Sequence, residues 1–379
     1  MTNSICEICG GCAYRNLGKE VYQKNKEDDF KKTISLIKKS NPLIEATVFI
    51  EDGNRRRADM EFIFDRKKQI LGFNEAKTHN VINIINCPML TPGLNNILPK
   101  LHNFLKEFCS ISYTVKNKKK KLETKTIQNG SIQMLEADNG FDFMLKLNDE
   151  PCLEHRMLVA DFINSQENIL RISWQIKNLE PETIIEKITP EIYISDYTIP
   201  LPQNVFLQAS KNAETKMIEK VLDYMGDTTG KIADLFCGLG TFTYPLAKNK
   251  NNIILSVDSS SLSTEGLKRA INKNKIQNVE VINKNLFKYP LDASELKNVK
   301  ALVIDPPRAG AHEQCVEIAK IQPDDKPEKI VFISCNPKTF VYDAQILIDS
   351  GYSFDKVTLV DQFVYSKHQE LIALFTYNR

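Results

Sequence analysis

Residues 231 to 376 alternate between short apolar runs and helical patterns, and this alternation restricts the fold more than any other feature of the chain. Each apolar run has the length and the β-branched enrichment of a strand. The predicted strands are 231–236, 253–257, 279–282, 300–304, 329–334, 354–359 and 371–376. The predicted helices are 210–225, 242–249, 262–274, 312–320 and 338–349. Strands separated by helices pair in parallel, so we predict a doubly wound α/β domain.

The last connection of this domain differs from the others. Residues 360–370 are too few for a helical crossover, so we expect the final strand to run antiparallel to its neighbour. One reversed strand at this place is typical of Rossmann-like methyltransferases. The connection therefore favours that class of fold over other doubly wound sheets.

The first half of the chain has a different pattern. A helical pattern covers residues 14–40, and alternating strand patterns dominate the sequence after it. The change of pattern falls at Pro200-Leu201-Pro202. We predict a β-rich domain over residues 1–195 and an α/β domain over residues 196–379, with the helix at 14–40 as a candidate for packing on the second domain.

A glycine turn follows the first predicted strand of the α/β domain. Residues 234–242, with the sequence DLFCGLGTF, end a strand and open a helix. Glycine lets the backbone approach a ligand closely, and the amide groups at a helix start face the polar atoms of that ligand. Asp258 ends the next strand about 20 residues beyond, where a carboxylate can bind both hydroxyl groups of a ribose. The pattern indicates a nucleoside-containing cofactor, with Asn285 as a candidate for its adenine edge.

Two other interpretations of this turn are open. Dinucleotide enzymes carry G-x-G-x-x-G, whereas Thr243 stands at the place of the third glycine here. A turn that binds no ligand is the other alternative, because a lone Gly-x-Gly is weak evidence.

An acid and a thiol follow two later predicted strands. Residues 305–308 (DPPR) come after one apolar run, and residues 334–337 (SCNP) come after the next. Ligands of open α/β sheets bind at the carboxyl ends of the strands. We therefore expect Asp305 and Cys335 to lie beside the cofactor. A buried, inert thiol is the alternative for Cys335.

Four motifs in this order resemble the RNA 5-methyluridine methyltransferase family. They are DLFCGxG, DPPRxG, SCNP and a final HxE. The resemblance covers residues 204–379 closely and residues 6–90 more loosely. It implies a Rossmann-like class I fold that uses S-adenosylmethionine (SAM) to methylate uridine in tRNA or 23S rRNA.

The resemblance also implies a covalent mechanism. The Cys335 thiolate adds to carbon 6 of uracil, and carbon 5 then becomes electron-rich enough to accept a methyl group. Glu370 removes the carbon-5 proton, and Asp305 contacts the uracil ring or the SAM amino group. The residues expected to bind SAM are Gln208, Phe236, Gly238, Gly240, Thr241, Asp258, Asn285 and Asp305. A solvated surface carboxylate is the alternative for Glu370.

Four of the nine cysteines form a candidate metal site. Cys6, Cys9, Cys12 and the remote Cys87 provide the ligand set of a [4Fe–4S] cluster or of structural zinc. The resemblance favours iron–sulfur, because several family members carry Cys-Gly-Gly-Cys and a later Cys-Pro. Zinc and the absence of a metal are the alternatives. The odd number of cysteines argues against a disulfide framework.

Local basic segments are candidates for RNA contacts although the net charge is only +2. They are Arg55-Arg56-Arg57 and the lysine-rich run 116–121, and solvated surfaces are the alternative. Cluster-bearing relatives act on ribosomal RNA, so we expect 23S rRNA as the substrate, with tRNA as the alternative. A methylase of another base and a non-catalytic iron–sulfur RNA-binding protein are the other hypotheses.

The sequence contains no apolar stretch of membrane-spanning length and begins with no secretory signal. We therefore expect a cytoplasmic protein without a membrane partner, acting as a monomer.

Overall fold

The computed structural model describes residues 6, 8–116 and 121–378 of the chain. These residues form two compact units. The first comprises the described residues of Met1–Asn16 and Glu51–Ile192, and the second those of Leu17–Ile50 and Tyr193–Arg379. None of the helices in the described ranges is long and apolar enough to cross a membrane.

The helices are numbered along the chain. They are α1 (Lys19–Ile34), α2 (Pro92–Ser110), α3 (Leu153–Ser165), α4 (Lys211–Met225), α5 (Thr243–Ala247), α6 (Ser261–Lys273), α7 (His312–Lys320) and α8 (Pro337–Asp349), with a 3-10 turn at Pro323–Asp325.

The strands are numbered in the same way. They are β1 (Leu43–Ile44), β2 (Val48–Phe49), β3 (Arg57–Phe64), β4 (Gln69–Asn74), β5 (Val81–Asn83), β6 (Ser112–Lys116), β7 (Leu122–Thr126), β8 (Asn129–Ala137), β9 (Gly140–Leu147), β10 (Ile169–Ile176), β11 (Glu182–Glu186), β12 (Glu191–Ile194), β13 (Tyr197–Pro200), β14 (Gly230–Leu235), β15 (Asn252–Asp258), β16 (Val279–Asn283), β17 (Val299–Ile304), β18 (Lys329–Ser334), β19 (Ser353–Asp361) and β20 (Glu370–Thr376).

The second unit is built on a nine-stranded sheet in the described residues. Its order is β1-β19-β20-β18-β17-β14-β15-β16, and β2 pairs with the end of β19. The five strands β14 to β18 pair in parallel, whereas β20 is antiparallel to both of its neighbours. The predicted reversal of the final strand is therefore confirmed, as is the α/β alternation.

The strands at the centre of this sheet are buried on both faces. Nearly every residue of β17 and β18 is buried, which is the pattern of parallel strands covered by helices on each side. Helix α1 adds Phe30 and Ile34 to the same core, and Ile37 follows just after the helix. The unit therefore takes part of its core from a segment far from the rest in sequence.

The first unit contains a seven-stranded sheet with the order β11-β10-β9-β8-β3-β4-β5. The predicted alternation of β3 is confirmed, since Ala58, Met60, Phe62 and Phe64 are buried. Helices α2 and α3 contact this sheet, and their apolar residues join its core. Strands β6 and β7 form a separate antiparallel pair.

Candidate active site at the carboxyl edge of the sheet

The register of β18 and β20 places the thiol beside the carboxylate predicted to be the base. Ser334 pairs with Leu371, so the next residues outward, Cys335 and Glu370, are neighbours at the edge of the sheet. Asp305 directly follows β17, which is the other neighbour of β18. The topology thus brings these three residues to one edge, although they are far apart in sequence.

Cys335 is a free thiol that is partly exposed. Burial raises its pKa to about 11, and the charges of Glu370 and Asp305 act in the same direction. The nearby Arg308 guanidinium lowers the pKa and so partly opposes them. The thiol is therefore accessible, but it is protonated at neutral pH until something stabilises its anion.

Glu370 is buried, with 3% of its surface exposed. Burial raises the pKa of its carboxyl group to about 8, and the charge of Asp305 adds to this effect. The Gln362 side chain donates a 2.7 Å hydrogen bond from Nε2 to Oε2 of Glu370, which lowers the pKa. The alternative of a solvated surface carboxylate is wrong.

Asp305 completes a cluster of acids. Burial around its carboxyl group raises the pKa to about 7, with a further contribution from the charge of Asp258. Neighbouring carboxyl groups that titrate near neutral pH are typical of sites that transfer protons.

The predicted glycine turn has the backbone conformation that glycine permits. Gly238 has φ of +55° and Gly240 has φ of +98°, and Phe236 also has positive φ. A Cβ added to Gly240 would lie 2.7 Å from the Leu267 side chain, whereas one added to Gly238 would meet no atom within 4 Å. The backbone at Gly238 therefore faces open space that a ligand can enter.

Asp258 lies against this turn. Its Oδ2 accepts a hydrogen bond of 2.9 Å from the Gly238 amide, and its Oδ1 accepts one of 2.7 Å from the Ser260 amide. The carboxylate is only half-buried, so its edge is accessible to a hydroxyl group. Open space above Gly238 and a fixed carboxylate beside it fit a nucleoside cofactor such as SAM.

The other residues predicted to bind SAM surround the same strand ends. Gln208 is buried and its Oε1 accepts a 3.1 Å hydrogen bond from Gln362. Asn285 caps a turn by accepting hydrogen bonds from the amides of Phe287 and Lys288. The Phe236 ring lies 5.4 Å from the Phe287 ring. Thr241 is half-buried at the turn.

The hydrogen bonds by which Thr243 and Ser256 support the turn were not predicted from the sequence. Thr243 donates a 2.6 Å hydrogen bond to Oδ2 of the buried Asp234, and its hydroxyl lies 2.8 Å from that of Ser256. Burial raises the Asp234 pKa to about 7. Asp234 begins the DLFCGLG motif and could be noticed in the sequence. Its hydrogen bond to Thr243 could not be predicted, because Thr243 and Ser256 lie on other elements.

The four predicted metal-ligating cysteines influence one another electrostatically within the first unit. Burial raises the pKa of Cys12 to about 12, with contributions from Cys87 and Cys9 and opposition from Arg55 and Arg15. Burial also raises the Cys87 pKa, with contributions from Cys9 and Cys6. Across residues 6, 8–116 and 121–378, however, no three His, Cys, Asp or Glu side chains are grouped as metal ligands.

The basic candidates differ in accessibility. Arg56 is 3% exposed, so its predicted availability for RNA is wrong, because its place just before β3 turns the side chain into the protein. Arg55 and Arg57 are half-buried. Lys116 and Lys121 are exposed, while residues 117–120 of the lysine run lie outside the described residues.

Residues 24–377 match the family model described as tRNA (Uracil-5-)-methyltransferase. An uncharacterized RNA methyltransferase of Agrobacterium fabrum is 32% identical over 97% of this chain and 82% of its own length. The 23S rRNA (uracil(1939)-C(5))-methyltransferase RlmD of Vibrio parahaemolyticus is 26% identical over 97% of this chain and 80% of its own.

Among solved structures, the Pyrococcus abyssi tRNA (uracil-54, C5)-methyltransferase in complex with S-adenosyl-L-homocysteine matches with a TM-score of 0.71. The match covers 97% of this chain and 86% of the Pyrococcus abyssi chain, at 21% sequence identity. This match establishes the likeness of the folds.

Proposed function

Since the chain belongs to the tRNA (uracil-5-)-methyltransferase family and is an RNA methyltransferase, we propose that it methylates carbon 5 of a uridine in 23S rRNA through a transient bond between Cys335 and carbon 6. The observation that carries the proposal is the strand register that makes Cys335 and Glu370 neighbours, with Asp305 at the end of the adjoining strand. A thiol, a base and a second acid at one cofactor-binding edge are what this chemistry needs.

The first chemical step is the addition of sulfur to the pyrimidine ring. The partly exposed Cys335 thiol gives its proton to solvent, Sγ bonds to carbon 6, and the electrons of the 5,6 double bond move onto carbon 5 and the carbon-4 carbonyl. Arg308 lowers the Cys335 pKa, so its charge favours the thiolate that attacks. Asp305 and Glu370 act against the thiolate while they are ionised, which favours their protonated forms at this stage. Glu370 must then release its own proton to solvent before it can act as the base.

SAM, when bound, supplies the methyl group that carbon 5 accepts. This chain would hold it with Gln208, Phe236, Gly238, Gly240, Thr241, Asp258 and Asn285, with Asp305 as a candidate for its amino group. The open space above Gly238 and the fixed Asp258 carboxylate support this assignment.

The last step restores the ring. Glu370 takes the proton from carbon 5, the double bond re-forms, and the bond between Sγ and carbon 6 breaks to release the thiolate. A carboxyl group with a pKa of about 8 is a stronger base than an ordinary glutamate, so its burial suits the task. Gln362 supports the role by fixing one carboxylate oxygen.

The choice of 23S rRNA rests on the RlmD relative, a 23S rRNA (uracil(1939)-C(5))-methyltransferase that aligns with 97% of the chain. A uridine in tRNA is the alternative, suggested by the name of the Pyrococcus abyssi structure. Mass spectrometry of both RNA pools from cells lacking the gene decides between them. We expect one 5-methyluridine to be missing from 23S rRNA and restored by the purified protein.

The cysteine set is proposed to hold a [4Fe–4S] cluster through Cys6, Cys9, Cys12 and Cys87. The support for this proposal is their mutual charge interaction, although the described side chains are not grouped as metal ligands. The charges of Arg15 and Arg55, which lower the Cys12 pKa, would offset those of bound thiolates. Iron and sulfide content of anaerobically purified protein tests the proposal, and Cys87→Ser is expected to reduce both. Stoichiometric zinc, or no metal, would contradict it.

The covalent step is tested with RNA containing 5-fluorouridine. Because Glu370 cannot remove fluorine as a proton, we expect the adduct to persist and to survive a denaturing gel. Cys335→Ala should form no adduct and lose methylation, since removing a nucleophile can cost on the order of 10⁶ in rate. Cys152→Ser is the matched control, because this half-buried thiol belongs to the other unit.

The outcomes separate the hypotheses. Methylation without an adduct in the wild-type protein would contradict the covalent mechanism. RNA binding without methylation of either RNA would contradict the proposed substrates.

A further inference from the structure

Helix α1 carries a buried lysine on its apolar face. Tyr22, Lys26, Phe30 and Ile34 recur at intervals of four residues and are all buried. Lys26 is 4% exposed, and lysine is almost never buried to this extent without a partner. Its position therefore requires an explanation that the packing of the helix does not provide.

The Lys26 ammonium group has three oxygen neighbours, one in an ion pair and two in hydrogen bonds. Nζ forms an ion pair of 2.9 Å with Oδ1 of Asp361, and it donates a hydrogen bond of 2.9 Å to the Ser366 carbonyl. It also donates to the carbonyl of His368. All three acceptors lie between the end of β19 and the start of β20.

Tyr22 contacts the same segment from the preceding turn of α1. Its hydroxyl donates a 2.7 Å hydrogen bond to Oδ2 of Asp361. Its ring lies 4.8 Å from the ring of Tyr365. Asp361 is 1% exposed and thus has a partner from α1 at each of its carboxylate oxygens.

The segment that α1 holds leads directly to the proposed base. Residues 362–369 connect β19 to β20, and β20 begins at Glu370. Val360 pairs with Glu370 in the β19–β20 register. Gln362, the first residue of the connection, donates hydrogen bonds to Glu370 and to Gln208. Lys26 contacts Asp361 at the start of this connection and the carbonyls of residues 366 and 368 near its end. It therefore holds both ends of the connection beside Glu370.

We propose that Lys26 is a positioning residue, which holds the 362–369 connection so that Glu370 is placed to remove the carbon-5 proton. The proposal rests on the uridine methyltransferase function proposed above. It assigns a part in the reaction to the N-terminal helix, which carries none of the family motifs.

The energetics favour positioning over simple stabilisation. A buried ion pair gains little net stability, because removing both charges from water opposes their attraction. Desolvation indeed lowers the Lys26 pKa, while Asp361 raises it. An apolar residue would complete the buried stripe of α1, but it would leave Asp361 and two loop carbonyls without this donor.

Lys26→Met tests the proposal, because it keeps the length of the side chain and removes the donors. A misplacement of about 1 Å can cost about 10² in rate, so we expect kcat to fall by about 10²-fold. SAM affinity should fall much less than kcat, because the glycine turn and Asp258 are held by hydrogen bonds that lie outside the connection. Slower proton removal should also make the covalent complex accumulate with ordinary uridine RNA, as with Glu370→Gln.

Lys24→Met is the matched control, since Lys24 is exposed on the same helix. Tyr22→Phe removes one hydrogen bond to Asp361 and keeps the ring, so it should produce a smaller effect of the same kind. If Lys26→Met does not fold, Tyr22→Phe decides the question.

Two results would overturn the proposal. One is a Lys26→Met protein, or a Tyr22→Phe protein in its place, with the kcat and adduct level of Lys24→Met. The other is a parallel loss of SAM binding, adduct formation and thermal stability, which a purely structural role would produce. Failure of the proposed function is distinct, because the wild-type protein itself would then form no 5-methyluridine.

Discussion

The chemistry of the site depends on carboxyl groups whose pKa values are raised by their surroundings. Glu370 and Asp305 have pKa values raised to about 8 and about 7, and Asp234 below the glycine turn also has a pKa raised to about 7. Burial is the largest cause in each case. These groups therefore change charge in the pH range in which the enzyme works, which ordinary carboxylates do not.

Raised carboxyl pKa values make the stability of the second unit depend on pH. The folded state binds these protons more tightly than the unfolded state, so the free energy of unfolding falls as pH rises from about 4 to about 8. Asp305→Asn should flatten this fall for two reasons. It removes one raised pKa, and it removes the negative charge of Asp305 that helps to raise the pKa of Glu370. Urea unfolding across this pH range measures the slope.

Asp292→Asn is the control for this slope. Asp292 is exposed, and its pKa is lowered, first by the hydrogen bond from the Ser294 side chain. It is therefore ionised across most of the range, and its replacement should shift stability by a similar amount at neutral and mildly alkaline pH. An Asp305→Asn slope equal to that of the wild-type protein would contradict the role of burial.

At the scale of the element, the two glycines of the turn after β14 differ in their surroundings, since Gly240 is crowded by side chains and Gly238 faces open space. Gly240→Ala places Cβ 2.7 Å from Leu267 and 2.9 Å from Tyr244, so it should destabilise the fold. Gly238→Ala meets no atom and bears only the strain of positive φ, about 1–2 kcal/mol. Its methyl group enters the open space, so its main effect should be weaker SAM binding.

Thermal melts and calorimetric titration with SAM measure the two effects separately. We expect Gly240→Ala to lower the melting temperature more than Gly238→Ala does. Gly238→Ala should lose more SAM affinity than its change in melting temperature explains. A Gly238→Ala protein with wild-type affinity would place the cofactor elsewhere.

The sequence predicted those elements whose signals are local. The alternation of strands and helices, the reversed β20 and the positive-φ glycines all follow from composition and spacing within short windows. Contacts between distant segments carry no such signal. Thus β1 pairs with β19 across more than three hundred residues, and nothing in the local sequence distinguishes Lys26, which is paired with Asp361, from the other lysines of its helix.

The same distinction applies to the site. Cys335 and Asp305 were predicted because each follows a strand, and Glu370 was predicted from the resemblance of the final HxE motif to that of the family. Their pKa values depend on how close the strand register brings them, which no single motif encodes. Arg56 was assigned to RNA because charge favours exposure on average, whereas tertiary packing buries this residue.

At the scale of the whole molecule, the second unit is assembled from two separate stretches of sequence. Phe30, Ile34 and Ile37 belong to its core, and β1 and β2 pair with β19. Burying each of the three side chains contributes roughly 1.5–3 kcal/mol, or about 5–9 kcal/mol together. This is comparable with the entire stability of a domain, about 5–15 kcal/mol. The unit is therefore expected to depend on its N-terminal stretch.

A fragment comprising Tyr193–Arg379 should therefore not fold, although it contains every proposed catalytic residue. The same fragment with Leu17–Ile50 joined to it by a long flexible linker should unfold cooperatively in urea and bind SAM. Replacing Phe30 and Ile34 by serine in the joined fragment should return it to the behaviour of the shorter one. Cooperative unfolding and SAM binding by Tyr193–Arg379 alone would show that the unit does not need its N-terminal stretch in order to fold.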